Sequence, residues 1–156
     1  MQGRPEIIEV LNEVLTAELT AINQYFVHAK MQQNWGYLRL AEHTRAESID
    51  EMKHAEAVTE RILYLEGLPN LQRLGPVRVG ETVPEQFRLD LTVEYDAIER
   101  FNRGIALARD VGDNGTRELL AGMLVSEEEH TDYLETQLGV LEKIGEAHYL
   151  AQHLLA

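Results

Sequence analysis

Glu51-Met52-Lys53-His54 and Glu127-Glu128-Glu129-His130 are two copies of one short pattern, a glutamate followed three residues later by a histidine. Residues three apart on an α-helix share a face, so each copy can offer a carboxylate and an imidazole to one ion. A single copy carries little weight, because a Glu-rich helical chain produces it by chance and leaves it solvated. The spacing argues otherwise. Positions 51 and 127 differ by 76, as do 54 and 130, and as do Glu18 and Glu94. The surroundings repeat as well: Glu18, Ala21, Ile22 and Tyr25 correspond to Glu94, Ala97, Ile98 and Phe101. The chain therefore reads as two helical hairpins related by an approximate two-fold axis.

Working outward, the apolar residues keep a helical period. Ile7, Ile8, Leu11, Val14, Leu15, Leu19, Ile22 and Phe26 mark a first helix from Pro5 to Asn34, broken by Trp35-Gly36. A second is expected over 37–66, stopped by Gly67 and Pro69. Thr82-Val83-Pro84-Glu85 has the spacing of a capping box and should start a third helix, which continues to Val111. A tight turn over 112–115 leads to a fourth ending at Ile144, and a short fifth is expected over 146–155. The first–second and third–fourth connections are short, so each pair is antiparallel. The link over 67–82 holds 16 residues, which reach about 50 Å at roughly 3.3 Å each. A helix of some 28 residues is about 42 Å long. The link can cross the whole bundle, making the second and third helices parallel. The expected fold is all-α, a ferritin-like four-helix bundle with one long crossover. Residues 1–145 form the bundle and 146–156 a terminal helix of the same domain.

Glu18 shares a helix face with Leu11, Val14, Leu15, Ile22 and Tyr25, and Glu94 shares one with Leu91 and Ile98. Those stripes face the core, so both carboxylates point inward. An unpaired buried carboxylate costs several kcal/mol even after relaxation. Two divalent ions would neutralise four of them. Oxygen-rich ligation with two imidazoles suits iron or manganese. The absence of cysteine excludes disulfides, iron–sulfur clusters and thiolate zinc sites. A formal net charge of −13 argues against a nucleic-acid or anionic-membrane partner and suits one that attracts cations. Neither a signal-peptide pattern nor a run of about 18 apolar residues is present. A cytoplasmic location is expected.

On these residues the chain resembles the bacterioferritins over essentially its whole length, long link and terminal helix included. The resemblance implies a ferroxidase centre made by Glu18, Glu51, His54, Glu94, Glu127 and His130. In it Glu51 and Glu127 bridge two irons, with Glu18 and His54 terminal on one and Glu94 and His130 on the other. Tyr25 matches a tyrosine expected to hydrogen-bond a ligand carboxylate. Met52 lies about 130° around its helix from the Glu51 and His54 direction and cannot join that centre. The resemblance makes it a ligand of haem b, one Met from each of two subunits across a two-fold interface. Leu19, Ile22, Asn23 and Phe26 recur at helical spacing and would wall the pocket.

The implied function is iron storage with ferroxidase activity. Fe(II) is oxidised by O2 or hydrogen peroxide, and ferric mineral is stored inside a shell of twenty-four identical subunits built from dimers. Release is expected to use a bacterioferritin-associated ferredoxin, docking near Leu68, Glu81 and Glu85. The match is incomplete: Ala46 cannot supply the histidine that, with Asp50, forms an inner-surface iron site in some members. His28, His43, His148 and His153 show no pairing and read as surface or pore residues. The rival readings are a peroxidase or manganese catalase on the same scaffold, and a DNA-protecting mini-ferritin. The acidic charge and the lack of a basic tail oppose the latter.

Overall fold

The computed structural model describes residues 1–155 and is helical: α1 Pro5–Asn34, α2 Leu38–Tyr64, α3 Val83–Asp110, α4 Asn114–Ile144 and α5 Glu146–Ala151. Pro5 opens α1 at a position where the missing amide hydrogen costs nothing. Gly36, at φ 91°, ends it. The Tyr37 amide donates back to Gln32 O and the Gly36 amide to Gln33 O, each at 3.0 Å, which closes the last turn and reverses the chain. Gly112, at φ 77°, does the same after α3, and the Asp113 amide donates to Ala108 O at 2.8 Å. Asp113 then caps α4 by accepting from the Thr116 amide at 3.0 Å.

Two boundaries differ from the sequence reading. α2 stops at Tyr64 rather than near Glu66, because Glu66 itself takes the left-handed position at φ 61°. Gly67 follows it and donates to Ile62 O at 2.9 Å. α5 ends at Ala151 rather than Leu155; the chain turns there so that His153 O accepts from the Arg39 amide at 3.1 Å.

α1 pairs with α2 and α3 with α4, while α1 lies on α3 and α2 on α4. The crossover from α2 to α3 follows α1 from its first half to its last turns. A row of polar side chains one turn apart pins it there. Asn12 binds Leu68 O and the Asn70 amide, and Thr16 accepts from Arg73 Nε. Thr20, Gln24 and His28 accept from the amides of Gly75, Arg78 and Gly80 at 2.8, 3.1 and 2.9 Å. An extended segment has no partner of its own for these amides, so α1 supplies one. α2 and α3 therefore run parallel.

The apolar core has two parts. Ile7, Leu11, Leu15, Val58, Ile62, Phe101 and Leu120 fill one end of the bundle. Leu40, Val83, Phe87, Leu134 and Tyr149 fill the other, where α5 closes it and Tyr149 meets Phe87 edge-on at 6.0 Å. Between them lies a buried polar layer. No helix among the described residues is long and apolar enough to cross a membrane.

Candidate metal centre

The polar layer holds all six residues singled out by the repeat. Glu18 arrives from α1, Glu51 and His54 from α2, Glu94 from α3, and Glu127 and His130 from α4. All are buried except His54, which is partly so. Their ligand atoms fall into two groups, Glu18–Glu51–His54–Glu127 and Glu51–Glu94–Glu127–His130, in each of which the atoms lie within 4.8 Å of one another. Glu51 and Glu127 belong to both.

Each shared carboxylate turns one oxygen toward each histidine. Glu127 Oε1 is 3.0 Å from His54 Nδ1 and its Oε2 is 3.6 Å from His130 Nδ1. Glu51 Oε2 is 3.7 Å from His54 Nδ1 and its Oε1 is 3.1 Å from His130 Nδ1. Glu18 stands 3.6 Å from His54, and Glu94 stands 3.5 Å from His130. The two halves obey the same approximate two-fold as the sequence.

Four carboxyl groups packed together in the interior shift one another strongly. Burial, reinforced by the neighbouring Glu51, raises the Glu18 carboxyl well above its usual range. Burial and Glu127 do the same to Glu94. Burial also works against ionised Glu51, but the nearby Glu18 carboxyl and the His130 and His54 imidazoles outweigh it and hold Glu51 low. Burial would lower His54, yet Glu127, Glu18 and Glu51 push it up to about 12. His130 is raised in the same way, by Glu127, Glu47, Glu51 and Glu94 against burial. Glu18 Oε2, Glu51 Oε1, Glu94 Oε2 and His130 Nδ1 are buried with no hydrogen-bond partner. Native interiors rarely leave such atoms unpaired. Four carboxylates and two imidazoles without a thiolate form a donor set for hard to borderline divalent ions such as Fe(II) or Mn(II).

Tyr25 is buried, and its hydroxyl donates to Glu94 Oε1. Met52 is 54% exposed on the outer face of α2, away from this cluster, and Phe26 of α1 is equally exposed. Ala46 is exposed and offers no ligand beside Asp50.

Other groups were not foreseen. Glu47 Oε2 lies 2.5 Å from His130 Nε2, on the side of the ring away from the cluster, and its Oε1 lies 2.8 Å from His43 Nε2. His43 stacks on Tyr133 at 3.7 Å. His28, read from sequence as a surface or pore residue, is fully buried instead. Its Nδ1 lies 2.9 Å from Asp90, which also accepts from Gln24. The signal for it was the polar row on α1 facing a link whose amides need acceptors. His153 is half-buried against Tyr149, and His148 is exposed.

The model of the ferritin family, described as a ferritin-like domain, matches residues 8–144. Bacterioferritin of Mycobacterium bovis is 57% identical over 152 residues, covering 97% of this chain and 96% of that protein. Bacterioferritin of Streptomyces coelicolor is 58% identical over 151 residues, covering 97% of this chain and 90% of its own. Among solved structures, Mycobacterium tuberculosis bacterioferritin superposes with a TM-score of 0.98 at 55% identity, over 99% of this chain and 98% of that one. Repeat, crossover, buried donor set and whole-length similarity agree: the chain belongs to the bacterioferritin family of iron-storage proteins.

Proposed function

We propose that the polar layer is an intra-subunit di-iron ferroxidase centre and that Fe(II) is its substrate. The observation carrying this reading is that Glu51 and Glu127 each face both histidines with separate oxygens. Carboxylates so placed would be the shared ligands of a two-metal site. Glu18 and His54 are then the terminal ligands of one iron, and Glu94 and His130 those of the other. When bound, the irons supply electrons to O2 or hydrogen peroxide. The chain's own residues do the rest. Four carboxylates and two neutral imidazoles hold the ions, after giving up the protons that the metal-free site retains. The two apolar core regions close the layer at either end of the bundle. Tyr25 orients Glu94, and Glu47 orients His130 from behind.

The ferric product needs a closed container, and a shell of twenty-four subunits would provide one. Met52 is assigned to haem b at a two-fold interface, its exposure on the outer face of α2, matched by that of Phe26 on α1, supporting a role completed by a second subunit. The residues expected to dock a ferredoxin lie apart within one subunit. Leu68 lies against Asn12, whereas Glu81 and Glu85 follow Gly80, which is bound by His28. Asn12 and His28 are sixteen residues apart on α1, or roughly 24 Å. One subunit does not unite the three residues, so a docking surface containing them all draws on two subunits.

The test is the rapid phase of Fe(II) oxidation by the assembled protein. Glu18→Ala and His130→Ala should each slow it by orders of magnitude while the size of the assembly stays that of the parent. Parent-like kinetics in both variants would remove the centre from this layer.

A further inference from the structure

A cavity of about 480 Å³ opens between the crossover, α1 and α3 and has Glu18, Glu51 and Glu127 among its lining residues. These three are buried and form its floor, while Glu13 and Asp96 are exposed at its mouth. Four arginines also line it: Arg73 and Arg78 from the crossover, Arg100 and Arg103 from α3. In a chain with 27 acidic and 14 basic residues, arginines should find carboxylates easily. Arg103 does, in Glu99 at 3.4 Å. Among the described residues, Arg73, Arg78 and Arg100 form no ion pair within 4.0 Å.

The positions are prepared on both sides. Arg73 Nε donates to Thr16, and the Arg78 amide donates to Gln24, so the row on α1 that pins the crossover also fixes where these side chains start. Arg100 and Arg103, three apart, share one face of α3. Planar guanidinium groups on two walls of one cavity suit the oxygens of a tetrahedral oxyanion, to which each can donate two hydrogen bonds. The two carboxylates at the mouth narrow the choice. They repel an anion that only accepts hydrogen bonds, such as sulfate, but accept the hydroxyl hydrogen of a protonated one.

We propose that this arginine-lined cavity binds monohydrogen phosphate at the outer approach to the metal centre. The anion's oxygens meet Arg73, Arg78 and Arg100, and its hydroxyl meets Glu13 or Asp96. Phosphate is thereby held next to Glu18, Glu51 and Glu127. The site needs no iron in place, so it is tested without any, and its fate is independent of the ferroxidase reading.

The experiment is calorimetric titration of inorganic phosphate into the assembled, iron-free protein, with sulfate as comparator. Expected is saturable binding of one phosphate per subunit, with sulfate at least tenfold weaker. Arg78→Gln with Arg100→Gln should weaken phosphate at least tenfold, and Asp96→Asn should narrow the preference over sulfate. Arg109→Gln, at the far end of α3, should bind as the parent does. Should the double variant fail to assemble, Arg78→Gln and Arg100→Gln are measured singly, each expected to weaken binding at least threefold. Absence of saturable binding, equal affinity for the two anions, or undiminished binding in the arginine variants overturns the proposal.

Discussion

Tyr25 donates its hydroxyl hydrogen to Glu94 Oε1 in the interior, and Phe101, which stands 76 positions after Tyr25, gives Glu18 no equivalent donor. The same inequality recurs at the histidines. Glu47 holds the outer nitrogen of His130, whereas its repeat counterpart Met123 has no carboxylate to offer His54. Two halves with the same ligands thus have different support. Burial, with Glu94 and Asp90 nearby, raises the Tyr25 phenol well above its usual range, so it stays a neutral donor. Partners that orient a metal-ligating carboxylate are typically worth about 10–100-fold in affinity or activity. Tyr25→Phe should therefore slow rapid Fe(II) oxidation by about that factor while the shell still assembles, because the ring is kept. Stopped-flow absorbance checks it; an unaltered rate makes Tyr25 a filler of space only.

The metal-free centre should release protons when it binds metal. His54, pushed up to about 12, and His130 are both protonated at neutral pH, and Glu18 and Glu94 are raised as well. Imidazole must be neutral and carboxylate ionised to ligate, so these protons compete with the metal. Zinc(II), which cannot be oxidised, should expel protons as it binds, those of the two imidazoles among them. Because the shifts are upward, affinity should rise as pH increases through the neutral range and fall steadily in acid. An indicator dye in weakly buffered solution measures the release. Metal uptake near pH 7 with no proton release would contradict the charge state assigned to the cluster.

The six clustered residues were legible because they obey two periods at once. Three-residue spacing set Glu51 with His54 and Glu127 with His130, and the 76-residue repeat then picked out Glu18 and Glu94. The bundle was legible from apolar spacing, and the parallel course of α2 and α3 from the reach of the crossover. What the repeat does not contain stayed hidden. Glu47 and the pair His28–Asp90 break the symmetry, and their partners lie far off in sequence. Asn12, Thr16, Thr20, Gln24 and His28 form one polar row on α1, which in a lone helix looks like a face turned to water. Only the crossover lying across it makes that row interior.

Met52 should matter for colour and not for iron oxidation. It is 54% exposed and lies away from the buried cluster, so replacing it disturbs neither packing nor ligands there. If it binds haem iron, Met52→Leu should yield shells lacking the haem absorption bands, and Met52→His should shift those bands through a changed axial ligand. Fe(II) oxidation should remain within about twofold of the parent in both, surface changes being nearly neutral elsewhere. Absorption spectra of the purified assemblies decide it. Parent-like bands in both variants would take Met52 out of the haem site.

The end of α2 supplies a prediction about stability. Glu66 occupies the left-handed position at φ 61°, a conformation that costs an L-residue about 1–2 kcal/mol and glycine almost nothing. Its ion pair with the amino terminus, at 3.4 Å, joins two groups that are mostly exposed and contributes little. Glycine is more flexible when unfolded, which takes back part of the gain, so Glu66→Gly should stabilise each subunit by about 0.5–1 kcal/mol. Gly67 next to it has the opposite requirement. A Cβ there would lie 2.8 Å from Ile8 Cγ2 and 3.0 Å from Ile62 Cγ2, inside the packed core. Gly67→Ala should therefore destabilise by about 1–3 kcal/mol through overpacking. Thermal unfolding of the metal-free assemblies, at one protein concentration, should rank Glu66→Gly above the parent and Gly67→Ala below it. The reverse order would mean that Gly67, not Glu66, carries the strain of the turn.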